Sequence, residues 1–282
     1  MNDSFLTTSV CDSLDPRAIE LRRKLVDMLL RAGRGHLASA LSIIDLLRVL
    51  YDDVMTYDPK NPNFIGRDRF ILSKGHACMA QYLMLAEKGF FPEEELSVFC
   101  KAGSFLGGHP EYHTVPGVEA STGSLGHGPS IGVGMAIALK ADKNDSKVYV
   151  VIGDGESNEG SVWEAALSAV KNKLDNLVFI LDYNKFQSYG RTVDVIDLEP
   201  LADKWVAFGW EVEQVNGHDI KQLREAFDKF PVQEGKPSIL ICHTIKGAGI
   251  RGVEHNLDWH HKSGLTDDEA IFLNDGIGRK NA

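Results

Sequence analysis

Apolar residues recur along this chain in two patterns, the three-to-four-residue spacing of amphipathic helices and the short continuous runs of buried strands. Asp15 followed by Pro16 is typical of a helix start, and apolar residues at helical spacing continue from there to Gly33. A second amphipathic helix is predicted over residues 42–51. The polar segment Arg34-Gly35-His36 lies between them, so the pattern places a histidine in the connecting loop.

Further along, strand patterns alternate with helical ones. Strands are predicted at residues 69–72, 148–152, 177–181, 210–215 and 238–242. Helices are predicted between and around them, at residues 76–88, 129–140, 161–173, 201–208 and 220–230. This alternation predicts an α/β domain with a doubly wound, mostly parallel sheet and helices on both faces. The continuous apolar character of strands such as 148–152 is what a sheet covered on both faces requires.

Composition narrows the choice of class. The 282 residues are 43% hydrophobic and 25% charged, as expected of one large soluble α/β domain covering residues 1–282. With a net charge of -10 and no block of lysines and arginines, nucleic acid is not an expected partner. An anionic cofactor would therefore need local devices such as backbone amides, a helix N-terminus or a bound metal.

Cysteine spacing and hydropathy bear on location. The four cysteines form no C-x-x-C pair, which argues against a zinc knuckle or a disulfide framework and favours a reducing cytoplasm. The N-terminal residues lack the pattern of a signal peptide, and the longest apolar runs are far shorter than a bilayer span. The sequence thus predicts a cytoplasmic protein that is not inserted in a membrane.

The clearest local signal is the apolar run at 148–152 leading directly into Gly153-Asp154-Gly155. Open parallel sheets bind ligands at the carboxyl ends of their strands, and glycines let the backbone approach a diphosphate closely. The next predicted strand ends just before Asn184, which would lie beside Asp154 if the two strands are neighbours. A carboxylate and an amide oxygen, completed by carbonyl and diphosphate oxygens, suit Mg²⁺. The alternative is an ordinary turn at Gly-Asp-Gly with Asn184 as a loop residue.

Two long segments, residues 100–128 and 245–265, are rich in glycine and histidine, and long loops in a compact domain are commonly functional. A single loop histidine is more often a structural hydrogen bonder. The histidines near residue 260 lack the spacing of a zinc motif. The glycines of 123–134 follow no clear strand and lack the acidic partner of a nicotinamide fingerprint, which makes both of those functions poor candidates.

Taken together, Gly153-Asp154-Gly155 and Asn184 resemble the thiamine diphosphate motif, and the surrounding motifs resemble transketolases specifically. Several ordered motifs between about residues 19 and 265 carry this resemblance. They are Gly35-His36, Ser73-Lys74-Gly75-His76, Gly107-Gly108-His109-Pro110-Glu111, Pro116-Gly117-Val118-Glu119, Thr122-Gly123-Ser124-Leu125-Gly126-His127-Gly128, Lys246-Gly247 and Trp259-His260.

The resemblance implies a thiamine-diphosphate-binding fold and a set of cofactor residues. Asp154, Asn184 and the carbonyl of Phe186 would hold Mg²⁺, or Ca²⁺ or Mn²⁺ in its place. The remaining cofactor residues implied are Gly153 and Gly155 at the diphosphate, Gly123, Ser124 and Leu125 on the thiazolium side, Lys246, and His76 and His260 near both diphosphate and substrate. Glu159 resembles a buried glutamate that communicates across a subunit interface.

Four histidines, His36, His76, His109 and His260, are implied around the substrate. A ketose donor must lose a hydroxyl proton as its C2–C3 bond breaks, and an aldehyde acceptor must gain one, which imidazole can do near neutral pH. His36 and His260 are the favoured proton-transfer groups.

Two departures from full-length transketolases, Gly35-His36-Leu37-Ala38 and Gly126-His127, resemble the two-chain members of the family. The pyrimidine-binding and C-terminal domains are then expected on a partner chain, which would supply the activating glutamate and most of any pocket for a distal anion. The expected assembly is a heterotetramer that transfers a two-carbon ketol unit. Pentose phosphates and sulfonated or branched sugars remain open as substrates. The alternatives are the α-chain of a 2-oxo acid dehydrogenase and a catalytically silent scaffold.

Overall fold

The computed structural model of the chain describes residues 7–278. Helices and strands alternate through most of this range. The α-helices are α1 (Pro16–Ala32), α2 (Leu37–Leu41), α3 (Ile44–Val49), α4 (Cys78–Glu87), α5 (His127–Ala141), α6 (Gly160–Lys171), α7 (Thr192–Val195), α8 (Leu201–Ala207), α9 (Ile220–Phe227) and α10 (Asp267–Gly276).

The strands form one large sheet and one small one. They are β1 (Arg34–Gly35), β2 (Arg69–Leu72), β3 (Val148–Gly153), β4 (Leu177–Tyr183), β5 (Glu211–Asn216), β6 (Ser238–His243) and β7 (Lys262–Ser263). The large sheet is parallel throughout, in the order β2-β3-β4-β6-β5, and β1 pairs antiparallel with β7.

The central strands are covered on both faces. Every residue of β3 and β4 is buried. Alternate residues of β3 belong to two separate apolar cores, with Tyr149 and Val151 in one and Val150 and Ile152 in the other. This confirms the predicted doubly covered parallel sheet, and all five predicted strands lie within two residues of their observed bounds.

Helix α1 begins and ends where its sequence signals predict. The Asp15 carboxylate accepts a hydrogen bond from the Ala18 amide at 2.7 Å, which satisfies one free N–H of the first turn. Gly33 follows the helix in the left-handed conformation, with a φ of 71°, and its N–H bonds the Leu29 carbonyl.

The helix predicted over 42–51 is wrong in its bounds. Helical structure begins earlier, at α2, and is interrupted before α3, which continues into a wider turn at Leu50–Val54. At the interruption the Ser42 hydroxyl lies 2.8 Å from a carboxylate oxygen of Asp182, so a tertiary contact meets the helix there. Within residues 7–278, no helix combines the length and apolar character needed to span a membrane.

Three elements were not predicted. Strands β1 and β7 have two residues each, too few for an alternating pattern to be visible. Helix α10 carries a complete capping box, in which the Thr266 hydroxyl and the Glu269 carboxylate each accept from the other's backbone. That signal was present in the sequence.

Candidate active site

The site lies at the carboxyl edge of the large sheet. Asp154 follows β3 and Asn184 follows β4, and these strands are paired with Gly153 opposite Asp182. The condition under which the sequence placed Asp154 beside Asn184 is therefore met. Strand β6 lies next to β4 and leads towards Lys246, so three consecutive strands of the sheet deliver their following loops to one place.

Asp154 is buried, and backbone amides orient its carboxylate. One oxygen accepts from the Gly155 amide at 2.7 Å and the other from the Lys185 amide at 2.5 Å. Burial, together with the neighbouring Asp182 carboxylate, raises the pKa of Asp154 to about 7. A cation beside this carboxylate would stabilise its charged form.

The other two predicted metal ligands lie at the same edge. The Asn184 amide donates to Asp182 at 2.9 Å and its oxygen accepts from the Phe186 amide at 3.0 Å, which fixes the orientation of the side chain. The Phe186 carbonyl lies 3.4 Å from the ammonium of Lys246. Carboxylate, amide and carbonyl oxygens are hard donors, and this donor set fits Mg²⁺ or Ca²⁺.

Asp182 organises this edge from below, although no sequence motif singled it out. It is fully buried and accepts hydrogen bonds from Ser42, Lys74, Asn184 and Thr244. Burial opposes its ionisation, but the Lys74 ammonium and these hydrogen bonds outweigh burial and lower its pKa. The only sequence signal was a carboxylate interrupting the apolar run of β4.

A second buried carboxylate, Glu156, was also missed. It accepts from the backbone amides of Gly126 at 2.8 Å and Gly153 at 3.1 Å, and from the Ser73 hydroxyl. It therefore joins the loops after β2 and β3 to the start of α5. Glu159, expected to be buried, is exposed in this chain with its stem against Gly126, so any burial of Glu159 must come from another chain.

A cavity of about 330 Å³ opens beside these groups. Most of the predicted cofactor residues line it: His76, Leu125, Gly153, Asp154, Gly155, Glu159, Asn184, Phe186, Lys246 and His260. Gly123 and Ser124 are not in this lining. Gly123, with a φ of 138°, packs against His109, where an added Cβ would lie 2.7 Å from the imidazole ring.

The chemistry of the cavity wall fits an anionic ligand. Lys246 is almost fully buried, and burial with the nearby Lys74 lowers its pKa to about 8. The side-chain nitrogen of Gln187 is buried at the cavity without a hydrogen-bond partner among residues 7–278. A diphosphate would stabilise the buried ammonium, and the unpaired amide could donate to it.

The turn that carries Lys246 is held by a buried ionic network. Arg22 makes two hydrogen bonds to Asp45, at 2.6 and 3.0 Å, and donates to the Ala248 carbonyl at 2.9 Å. His218 bonds Asp45 through Nδ1 at 2.9 Å and accepts from the Ile245 amide through Nε2 at 2.9 Å. Backbone on both sides of Lys246 is thus anchored to α1 and α3, which no local motif indicated.

Three of the predicted histidines form a cluster. The ring of His36 lies 5.2 Å from that of His76 and 5.4 Å from that of His260, and His76 lies 6.0 Å from His260. The pairing of β1 with β7 brings the loops together, since His36 follows β1 and His260 precedes β7. His261 also belongs to the cluster, 4.7 Å from His36, although the sequence suggested it only as a metal-ligand alternative.

These imidazoles are held in the neutral form. Burial, reinforced by the neighbouring His261, lowers the pKa of His36 to about 4. Burial and Lys246 lower that of His260 to about 3, and burial and Lys74 lower that of His76 well below its ordinary value. Because Nδ1 of His36 lies 3.1 Å from the His260 carbonyl, Nδ1 carries the hydrogen and Nε2 can accept a proton.

His109 borders a second cavity of about 390 Å³, together with His36, His76 and His261. His76 lines both cavities, so the two meet at its imidazole. The structure therefore brings all four predicted histidines to the space beyond the cofactor cavity.

Comparisons with known proteins agree with this geometry. The family model described as "Transketolase, thiamine diphosphate binding domain" matches residues 15–281. The chain is 44% identical to one of the named subunits of the apulose-4-phosphate transketolase of Phocaeicola vulgatus, covering 89% of each chain. It is 42% identical to the 6-deoxy-6-sulfo-D-fructose transketolase subunit SqwG of a Clostridium species, covering 90% of this chain and 92% of that protein.

Longer relatives match over only part of their length. Human transketolase is 40% identical across 89% of this chain, which corresponds to 40% of the human protein. The solved transketolase of Leishmania mexicana superposes with a TM-score of 0.85 at 30% identity, covering 93% of this chain and 41% of that one. The 2-oxo acid dehydrogenase alternative is not favoured, because these relatives and structures are transketolases.

Proposed function

This chain belongs to the transketolase family and contains its thiamine diphosphate binding domain, and from that premise we propose that it is the diphosphate-binding subunit of a two-chain transketolase. Together with its partner it transfers a two-carbon ketol unit from a ketose donor to an aldose acceptor. One observation carries the proposal: the cavity lined by Asp154, Asn184 and Lys246 meets the histidine-lined cavity at His76.

In this proposal Asp154, Asn184 and the Phe186 carbonyl hold Mg²⁺, with Ca²⁺ or Mn²⁺ able to replace it. Lys246, Gly153 and Gly155 bind the diphosphate, and Leu125 lines the same cavity. Thiamine diphosphate supplies carbanion stabilisation when bound. Gly123 and Ser124 belong to the loop over the thiazolium side, and Gly123 supports His109 from behind.

The histidines hold and move protons. Nε2 of neutral His36 accepts the hydroxyl proton of the ketose as its C2–C3 bond breaks, and a protonated imidazole returns one to the acceptor aldehyde. His260, whose Nε2 lies 3.1 Å from the Ser188 hydroxyl, is the second proton-transfer group. An anion in the cofactor cavity would raise their pKa values towards neutrality, since Lys246 is among the cations that lower them.

The partner in this proposal carries the pyrimidine-binding and C-terminal domains. Support comes from the relatives named as subunits, of which this chain covers about nine tenths, while it covers about two fifths of the single-chain transketolases. We propose a cytoplasmic heterotetramer with two copies of each chain, in which Glu159 lies at the interface. The names of the similar subunits favour a phosphorylated or sulfonated sugar over a neutral one as the substrate.

The test is a titration of thiamine diphosphate with Mg²⁺ into the chain alone and into the chain copurified with the product of its neighbouring gene. A coupled assay with xylulose 5-phosphate and ribose 5-phosphate follows, and then one with apulose 4-phosphate and 6-deoxy-6-sulfofructose as donors. Tight binding and turnover only with the partner are expected. A copurified complex that binds no cofactor and turns over no donor would favour the silent scaffold.

A further inference from the structure

The second cavity has an unusual charge for an acidic protein. Its lining contains the cationic side chains of Arg34 and Lys101 together with four histidines, and none of the described residues in that lining is an aspartate or a glutamate. The whole chain carries a net charge of -10. A cavity lined by one sign of charge focuses the electrostatic potential and attracts ligands of the opposite sign.

Arg34 and Lys101 also lack the acidic partners that other basic residues have. Arg17 pairs with Glu87, Arg48 with Asp15, and Arg67 with Glu119. Across residues 7–278, neither Arg34 nor Lys101 has a carboxylate within ion-pair distance, and the Lys101 ammonium lies 3.4 Å from the Ala32 carbonyl.

The position of Arg34 is set by the fold. It belongs to β1, opposite Ser263 of β7, one residue before the glycine that precedes His36. Its charge reaches the cavity wall: burial raises the pKa of the Cys100 thiol, and Arg34 opposes that rise. The lining thus runs from His76, where the two cavities meet, to the exposed side chains of Arg34 and Lys101.

We propose that Arg34 and Lys101 form an anion subsite that binds a phosphate or sulfonate at the end of the sugar distal to the reacting carbons. The inference rests on the proposed function and adds a specificity determinant to this chain, whereas the sequence alone placed such a pocket largely on the partner. A guanidinium binds tetrahedral oxyanions through two parallel hydrogen bonds, and the ammonium adds a second positive charge.

The test uses the complete two-chain enzyme with cofactor and Mg²⁺, and glycolaldehyde as a common uncharged acceptor. Donors are uncharged L-erythrulose, xylulose 5-phosphate for the phosphate, and 6-deoxy-6-sulfofructose for the sulfonate. Arg34→Gln should lower kcat/KM for the preferred anionic donor about 10-fold or more, the effect of losing one charge-assisted hydrogen bond. Lys101→Gln should give a smaller loss, and erythrulose turnover should not change.

Arg31→Gln is the matched control, because Arg31 is exposed in the last turn of α1 and does not line the cavity. If Arg34→Gln leaves the preference for anionic over neutral donors unchanged, or slows all donors equally, the subsite is refuted. Which anionic donor loses more identifies phosphate or sulfonate as the ligand.

A second measurement separates this inference from the proposed function. Inorganic phosphate and sulfate are titrated into the full chain while the ring signals of His36 and His261 are followed by NMR. Shifts in the wild type that disappear in Arg34→Gln are expected even if no donor is turned over. Wild-type signals that do not respond to either anion would overturn the subsite, even in an active transketolase.

Discussion

Among single residues, Asp154 is the one whose environment is least favourable without a ligand. It is buried next to Asp182, with its carboxylate oriented by two backbone amides. Replacing Asp154 by Ala should therefore weaken Mg²⁺-dependent thiamine diphosphate binding by roughly 100-fold or more, since even residues behind metal ligands contribute 10–100-fold to affinity. Calorimetric titration measures this, with Asp203→Ala on the exposed face of α8 as the control.

Such a loss should leave the fold intact, because the substitution removes a buried carboxylate rather than a core side chain. Circular dichroism and the thermal midpoint would establish this. Binding by Asp154→Ala that equals the wild type would mean that the metal assignment is wrong.

The raised pKa of Asp154 predicts a pH dependence in the cofactor-free chain. Because the pKa in the folded state, about 7, exceeds the unfolded value, the folded chain binds the proton more tightly. The stability that this group contributes is fully present below about pH 4, the unfolded pKa, and is lost as pH rises through 7. The midpoint of thermal unfolding should fall more between pH 5 and pH 8 in the wild type than in Asp154→Asn.

Other titrating groups act equally in both proteins and cancel in that comparison. Identical pH profiles for the wild type and Asp154→Asn would contradict the assignment, and adding Mg²⁺ should reduce the difference by stabilising the charged carboxylate.

At the level of elements, the short β1–β7 pair aligns the histidine cluster. Arg34 faces Ser263, and Gly35 faces Lys262. Ser263→Pro should disturb this pairing and lower kcat by roughly 10- to 100-fold, because small displacements of catalytic groups are costly. Cofactor affinity should change much less, since Asp154 lies on another element. Steady-state kinetics test this, with Ser263→Ala as the control, and an unchanged kcat in Ser263→Pro would refute the alignment role.

A pair of glycines tests the contact between two loops at the sheet edge. A Cβ on Gly75 would lie 2.7 Å from the Thr122 hydroxyl and 2.8 Å from the Gly123 amide, whereas Gly134 in α5 has open space. Gly75→Ala should destabilise the chain by about 1–3 kcal/mol, as other overpacked sites do. Gly134→Ala should stabilise it by up to about 1 kcal/mol through helix propensity. Denaturant titration compares them, and equal effects would contradict the contact.

In the whole molecule, function is proposed to depend on a second chain, and Glu159 tests that dependence. Because its side chain is exposed here, Glu159→Arg should change the stability of the isolated chain by less than about 0.5 kcal/mol. It should nevertheless block assembly with the partner, measured by sedimentation. Glu234→Arg, at another exposed position, is the control. Normal assembly of Glu159→Arg would remove Glu159 from the interface.

The sequence by itself determined the alternating architecture, the bounds of the main strands, and the Gly153-Asp154-Gly155 turn, because these follow from local periodicity and backbone preferences. It also indicated the four histidines, but only through a resemblance. The tertiary structure alone decided which side chains meet. Strand order placed Lys74 on Asp182, and the pairing of β1 with β7 brought His261 to His36. Those contacts join residues more than 100 positions apart, and no local pattern in the chain encodes strand order or such long-range pairing.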